Sequence, residues 1–369
     1  MDKMSGWPVS DRASQKFIVH PDRTPMSLNT FIQQMPKAEL HIHLEGAIEP
    51  TTLLRLAERN GVVLPADSPK ALQTWYQFSD FPHFVEIYLK IQSCLRSADD
   101  FSTIAYELGA DMARQNILYR EATVTPYTHL IQDKGLVAED IIAGLEDGRQ
   151  RARRDFGVEI RWILDIHRNL EPPVAEVTTQ LVLDWADRCV VALGLGGNEV
   201  NSPAAAFAPY FERVKAAGLG SVPHAGEVAG PESVWSAVRD LQADRIGHGV
   251  RSIEDPHLLA ELYDRQITLE VNPTSNVCLN VYRSIDQHPF IHLLRMGLSV
   301  TVNSDDPPLF NTTLTQEFAK LSDAFTLTRD DLRNLSLNAL RSTFLSEAER
   351  RPLEDRMTAG FADLAGQSE

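Results

Sequence analysis

Two histidines one residue apart, His41 and His43, stand near the N-terminus in Glu39-Leu40-His41-Ile42-His43-Leu44-Glu45-Gly46. Strand side chains alternate faces, so these imidazoles share one face, about 7 Å apart at ~3.3 Å per residue. A pair so placed can grip one metal ion. Other reactive groups follow in Pro223-His224-Ala225-Gly226-Glu227, Gly247-His248-Gly249 and Asn303-Ser304-Asp305-Asp306-Pro307. Singly, each has an ordinary explanation as a core histidine, a carboxylate at a helix start, or a turn before proline.

What must position them is a series of short apolar runs alternating with longer helical patterns. Eight strands are expected, at Ala38–Leu44, Leu118–Val124, Val158–Ile166, Val190–Gly196, Ser221–Ala225, Arg245–Gly249, Thr268–Asn272 and Ser299–Asn303. Strand–helix alternation implies a parallel sheet, and eight units imply a closed (β/α)8 TIM barrel of the α/β class. A doubly wound open sheet fits less well, because no Gly-x-Gly-x-x-Gly turn follows the first strand. Barrel enzymes carry their reactive groups at the C-terminal ends of strands. His41, His43, His224, Glu227, His248, Asp305 and Asp306 all fall at such ends, so they converge on one pocket.

A divalent ion held by His41, His43, His224 and Asp305 has three imidazoles and one carboxylate, a set that suits zinc best, with iron, cobalt or manganese as alternatives. Such an ion lowers the pKa of bound water toward about 7. Glu227 and His248 remain beside it as an acid and a base, the parts for hydrolytic attack on an electrophilic carbon.

The remainder of the chain bounds the partners. With 35 Lys and Arg against 51 Asp and Glu, the formal charge is −16. That balance repels phosphate backbones, so nucleic acid is not an expected partner and a small neutral or cationic molecule is. No apolar run reaches the ~18 residues a membrane span needs, and no signal-like core opens the sequence, so a cytoplasmic protein without membrane contact is expected. Three scattered cysteines suit a reducing compartment.

Residues 1–26 read as a loose N-terminal extension, and 27–369 as a single barrel domain. Residues 47–116 read as a helical insertion after strand one, with an aromatic cluster of Trp75, Tyr76, Phe78, Phe81, Phe84 and Tyr88. At helical spacing such a stripe reads first as core packing, and alternatively as a lid over the barrel mouth. Residues from about 313 onward read as C-terminal helices closing the other side.

Pro-Lys-Ala-Glu-Leu-His-Ile-His-Leu-Glu-Gly, His-Ala-Gly-Glu, Gly-His-Gly and Ser-Asp-Asp-Pro, in this order and spacing, closely resemble the adenosine deaminase family from about Met35 to Phe344. The resemblance implies a zinc-dependent aminohydrolase, with one Zn²⁺ per chain, that converts an adenosine-type 6-aminopurine nucleoside to its 6-oxo product and ammonia. It implies His41, His43, His224 and Asp305 as zinc ligands. Glu227 is then the group that protonates purine N1. His248 orients or deprotonates the water and stabilises developing charge, Asp306 contacts N7, and the backbone of Gly197 meets N3.

Two positions depart from the adenosine-specific pattern. Glu45 stands where many adenosine deaminases carry an Asp that contacts the ribose 5′-hydroxyl. Gly196-Gly197-Asn198-Glu199 replaces the common Ala-Gly-Asp-Glu. Glu at position 45 occurs in relatives that take free adenine or aminodeoxyfutalosine, which are therefore the alternative substrates. Binuclear amidohydrolases also carry His-x-His, but they use a lysine at the end of strand four, and Val190–Glu199 contains none. A non-catalytic purine-binding protein would not need every one of these side chains.

Overall fold

The computed structural model describes residues 26–132, 134–200 and 202–366. Residues 1–25 of the expected N-terminal extension lie outside the described residues. Eight parallel strands follow one another in strict chain order: β1 (Lys37–His43), β2 (Ile117–Val124), β3 (Glu159–His167), β4 (Val190–Gly196), β5 (Gly220–Ala225), β6 (Arg245–His248), β7 (Thr268–Val271) and β8 (Val300–Val302). Each expected strand is present, shifted by no more than two residues at an end. Strand order and crossover helices together make the TIM barrel.

The seam between β8 and β1 is closed largely by residues just past the end of β8. Asp305 forms an isolated parallel bridge with Ile42. Asp305 N–H donates to the His41 carbonyl at 3.2 Å, and His43 N–H donates to the Asp305 carbonyl at 2.9 Å. Leu40 N–H is met by Asn303 Oδ1 at 3.0 Å, and Ser304 donates through N–H (2.9 Å) and hydroxyl (2.6 Å) to Glu39 Oε1. Side chains thus supply pairing that a three-residue β8 is too short to give.

The expected insertion 47–116 divides into parts with different roles. Its last helix, Ala98–Gln115, is the crossover between β1 and β2 and packs on the next wall helix, Ala138–Phe156. A Cβ built on Gly144 would stand 2.2 Å from the Ala98 carbonyl, and one on Gly148 2.5 Å from that of Ser102, so glycine lets these helices meet closely. The helix Phe81–Gln92, capped by Asp80 accepting from His83 N–H at 2.9 Å, lies instead over the barrel mouth.

The aromatic cluster divides the same way. Tyr76 is core, while Phe84 and Tyr88 line the cavity and Phe84 stacks on Phe310 at 5.8 Å. C-terminal helices Leu314–Phe325, Arg329–Arg341 and Glu347–Gly366 finish the wall, and Asn338 Nδ2 donates to the Val300 carbonyl at 2.8 Å. Among the described residues no helix is long and apolar enough to cross a membrane.

Candidate active site

His41 and His43 emerge from β1 as the alternation requires, with ring centroids 5.4 Å apart. His224 near the end of β5 brings its Nε2 to 3.3 Å from His43 Nε2. Asp305 Oδ1 lies 3.4 Å from both His41 Nε2 and His43 Nε2. His41 Nε2 is buried and makes no hydrogen bond. Candidate ligand atoms of His41, His43 and Asp305 lie within 4.8 Å of one another, and so do those of His41, His224 and His248. The donors therefore fit a divalent cation as two triads that share His41, with the His224 and His43 Nε2 atoms 3.3 Å apart between them and the buried His41 Nε2 left without a partner.

The charges point the same way. Burial alone lowers the His41 pKa, but the Asp305 carboxylate close to Nε2 and the Glu270 carboxylate bonded to Nδ1 outweigh it and push the value up to about 10. Burial also opposes ionisation of Asp305, but His41, His248 and His43 hold that carboxyl well below its usual range. His43 and His224 are lowered, chiefly by burial.

Neighbouring strands hold this cluster in place. His41 Nδ1 bonds Glu270 Oε2 on β7 at 2.9 Å, and Glu270 Oε1 accepts from Arg245 Nε on β6 at 2.6 Å. Arg245 continues to Glu121 on β2, forming a buried chain of alternating charge across the barrel. Gly247 makes room for it, since a Cβ there would stand 2.9 Å from His41 Cε1. Two of the grouped residues, His248 (φ 62°) and Asp305 (φ 63°), hold left-handed backbone, a strain that recurs where side chains are aimed for function.

Glu227 and His248 share the cavity, with His248 Nε2 3.7 Å from Glu227 Oε1 and 3.8 Å from Asp305 Oδ2. Glu199 cradles the loop that carries Glu227, accepting from the backbone N–H groups of Gly226 (2.8 Å), Glu227 (2.9 Å) and Val228 (3.0 Å). Burial, then the charges of Asp305 and Glu199, raise the Glu227 carboxyl well above the usual carboxylate range. Burial and Asp305 do the same to Asp306, which also lines the cavity. Gly197, at φ 98°, also lines the cavity.

Glu45 is placed differently. It is buried behind Tyr88 and is absent from the cavity wall. His129 Nε2 bonds its Oε1 at 2.8 Å, Thr125 N–H approaches the same oxygen at 3.4 Å, and Tyr88 hydroxyl reaches Oε2 at 3.5 Å. Lys134 Nζ donates to His129 Nδ1 at 3.1 Å, so the neutral imidazole gives its proton to Glu45.

The chain also matches known proteins. A family model described as Adenosine deaminase matches residues 36–359.

The chain belongs to the adenosine deaminase family.

Among similar members, aminodeoxyfutalosine deaminase of Streptomyces coelicolor is 40% identical over 92% of this chain and 88% of its own. Adenine deaminase of Bordetella avium is 38% identical over 85% of this chain and 99% of its own. A zinc-bound amidohydrolase from Burkhoderia ambifaria superposes with a TM-score of 0.85 at 25% identity, over 93% of this chain and 95% of that one. This deaminase is accordingly a hydrolase of C–N bonds that acts on aminopurine-type substrates. These two deaminase relatives carry the names of the alternative substrates rather than that of the adenosine-type nucleoside first expected from the motifs.

Sequence reasoning left several residues of this deaminase without a role. Glu270 and Asp165 each interrupt an apolar strand, Leu269-Glu270-Val271 and Leu164-Asp165-Ile166. A carboxylate in such a run is the signal of a buried partner or a cavity wall. Asp165 lines the cavity, as does His167 at the end of β3. Asp165 fits only because Gly194 and Gly196 have no Cβ, which would approach its carboxylate oxygens to 2.6 and 2.2 Å.

Proposed function

We propose that this protein hydrolytically deaminates a 6-aminopurine with one zinc ion held by His41, His43, His224 and Asp305. The observation that carries the reading is the unpartnered, buried His41 Nε2, faced by Asp305 and flanked by two further imidazoles. A divalent ion there supplies Lewis-acid activation of the attacking water. Glu227, kept protonated by burial and neighbouring carboxylates, gives its proton to the ring nitrogen beside the amino-bearing carbon. Asp306, also favoured in its neutral form, donates to N7, and Gly197 meets N3 through its backbone. Water adds to that carbon and makes it tetrahedral, its proton passing to the Glu227 carboxylate left by protonating the ring. Glu227 hands this proton to the amino group, which leaves as ammonia, and regains one from the new hydroxyl as the 6-oxo purine forms. Charge that develops on the ring meets groups already in position, which is where such catalysis gains most.

The substituent on N9 is read from position 45 and the cavity rim. Glu45 is buried and held chiefly by His129 at 2.8 Å, away from the cavity wall, which disfavours its use as a 5′-hydroxyl contact. Phe84, Val85, Tyr88, Leu89 and Phe310 give the mouth an apolar, aromatic lining suited to a 5′-extended nucleoside. We therefore assign aminodeoxyfutalosine as the first substrate, in line with the name of the 40% identical relative. Free adenine is the second reading, supported by the 38% identical adenine deaminase. Ammonia release measured side by side with aminodeoxyfutalosine, adenine, adenosine and 2′-deoxyadenosine tests both. Preference for either of the first two is expected, and a higher kcat/KM on adenosine overturns the assignment.

A further inference from the structure

We infer that Asn276 and His288 are positioning residues that lock His248 as the Nε2–H tautomer, a hydrogen-bond donor to the reaction centre rather than a metal ligand or a base. The inference deepens the deaminase reading and rests on it for the meaning of Nε2, though not for the tautomer itself.

The relay begins at a backbone donor, whose proton has a fixed place. Phe290 backbone N–H donates to His288 Nδ1 at 3.1 Å, so Nδ1 of that ring is the acceptor and Nε2 carries its proton. His288 Nε2 then lies 3.1 Å from Asn276 Oδ1 and donates to it. An amide whose oxygen is committed there presents its NH₂ on the other side, and Asn276 Nδ2 stands 3.1 Å from His248 Nδ1. Each link forces the next, so the direction of Asn276 follows from a backbone amide two residues past His288.

A second amide repeats the message. Asn272 Nδ2 donates to the Glu270 carbonyl at 3.1 Å, which fixes its orientation, and the same nitrogen lies 3.4 Å from His248 Nδ1. With donors on that side from both Asn272 and Asn276, a proton on Nδ1 would point at two NH₂ groups. This excludes both the Nδ1–H tautomer and the imidazolium on geometry. His248, Asn272, Asn276 and His288 are all buried, so water does not replace a lost partner. Burial, with a smaller contribution from His248, lowers the His288 pKa to about 3, which keeps the middle ring neutral.

The consequence falls on the other nitrogen. His248 Nε2 faces Glu227 and Asp305, and its ring is 5.4 Å from that of His224. A neutral imidazole with its proton on Nε2 offers no lone pair in that direction. His248 therefore stands apart from His41, His43 and His224, although its nitrogen lies within the same cluster. It donates to the oxygen that adds to the purine and does not take that oxygen's proton.

The test is two-bond ¹H–¹⁵N correlation of the full chain, zinc-loaded and then metal-stripped, with ¹⁵N-labelled histidine and His248→Gln to assign its signals. Wild-type His248 is expected to show a protonated Nε2 and an unprotonated Nδ1 in both states. A proton on Nδ1 overturns the inference without any variant being made. Asn276→Asp places acceptors before both rings and should move the His248 proton to Nδ1, lowering kcat by about 10²-fold. His288→Gln keeps an Nε2–H donor facing Asn276 and should retain both the wild-type tautomer and most of kcat, whereas His288→Leu should lose both. Loss of activity in Asn276→Asp with the Nε2–H pattern intact also overturns the relay. Should wild-type protein release no ammonia from any aminopurine, the deaminase reading fails while the nitrogen shifts still decide the tautomer.

Discussion

A Cβ built on Gly46 would lie 1.6 Å from Oδ1 of Asp306. The glycine that follows His-Leu-Glu is thus the space in which a carboxylate from the other end of the barrel sits. Gly46→Ala should displace Asp306 and lower kcat/KM by about 10²-fold, the usual scale for misplacing a group by ~1 Å. Unchanged circular dichroism alongside that loss is expected, and wild-type kcat/KM would separate Asp306 from the reaction.

Asp305→Ala removes the charged member of the donor set and a contact of both His41 and His43. Loss of bound metal together with activity is expected, read by plasma emission on dialysed protein. Stoichiometric metal in this variant would place the fourth ligand elsewhere.

Glu227→Gln should keep its metal, because Glu227 is held by Glu199 through the backbone and not by the donor cluster. Its kcat should fall by ~10² or more. The protonated carboxyl is the active form, so wild-type activity should persist above the usual carboxylate range and fall as pH rises through the raised pKa. The residual activity of the variant should lack that alkaline limb.

Asp165 gives a stability signature of its own. Burial pushes its carboxyl up to about 8, against an ordinary aspartate value of 3.8. Between those values the unfolded chain releases the proton while the folded chain keeps it, so stability falls as pH rises through that window and levels off above it. Asp165→Asn abolishes this slope. Denaturant unfolding at pH 4 and pH 8 should show the variant gaining on wild type at the higher pH, and parallel profiles would mean the carboxyl is already ionised.

His129→Leu strips Glu45 of its closest partner in a buried setting, which should destabilise the protein by about 3 kcal/mol. Glu45→Asp withdraws the carboxylate by ~1.5 Å, one carbon–carbon bond, and should lower Tm while leaving the ranking of substrates unchanged. A shift of that ranking toward adenosine would mean position 45 reads the sugar.

The strand ends were legible because their side chains bear chemistry in runs that are otherwise apolar. His41, His43, His224, Glu227, His248, Asp305 and Asp306 could be placed on one pocket from spacing and barrel geometry alone. What supports them was not legible, since the partners are far apart in sequence: His41 and Glu270 are 229 residues apart, and Ser304 and Glu39 are 265. No local pattern encodes such pairs. Helical spacing in 47–116 likewise could not tell a wall helix from one over the mouth, because both bury one face. Glu45 shows the same limit: its place in the motif says nothing of His129, 84 residues on, which only the fold brings against it.

The seam at Asp305 also sets the order in which the protein can become itself. Synthesis proceeds from the N-terminus, and early strands can begin to pair while later ones are still unmade. His41 and His43 are therefore present from the start, yet the residue that bridges to Ile42 and faces both imidazoles is 263 residues behind that partner. A chain cut short before strand eight has the histidines, an open edge on β1 and no carboxylate between them. Closure of the barrel and completion of the chemistry are one event, so a ribosome that stops early releases an unpaired strand rather than a weakened enzyme.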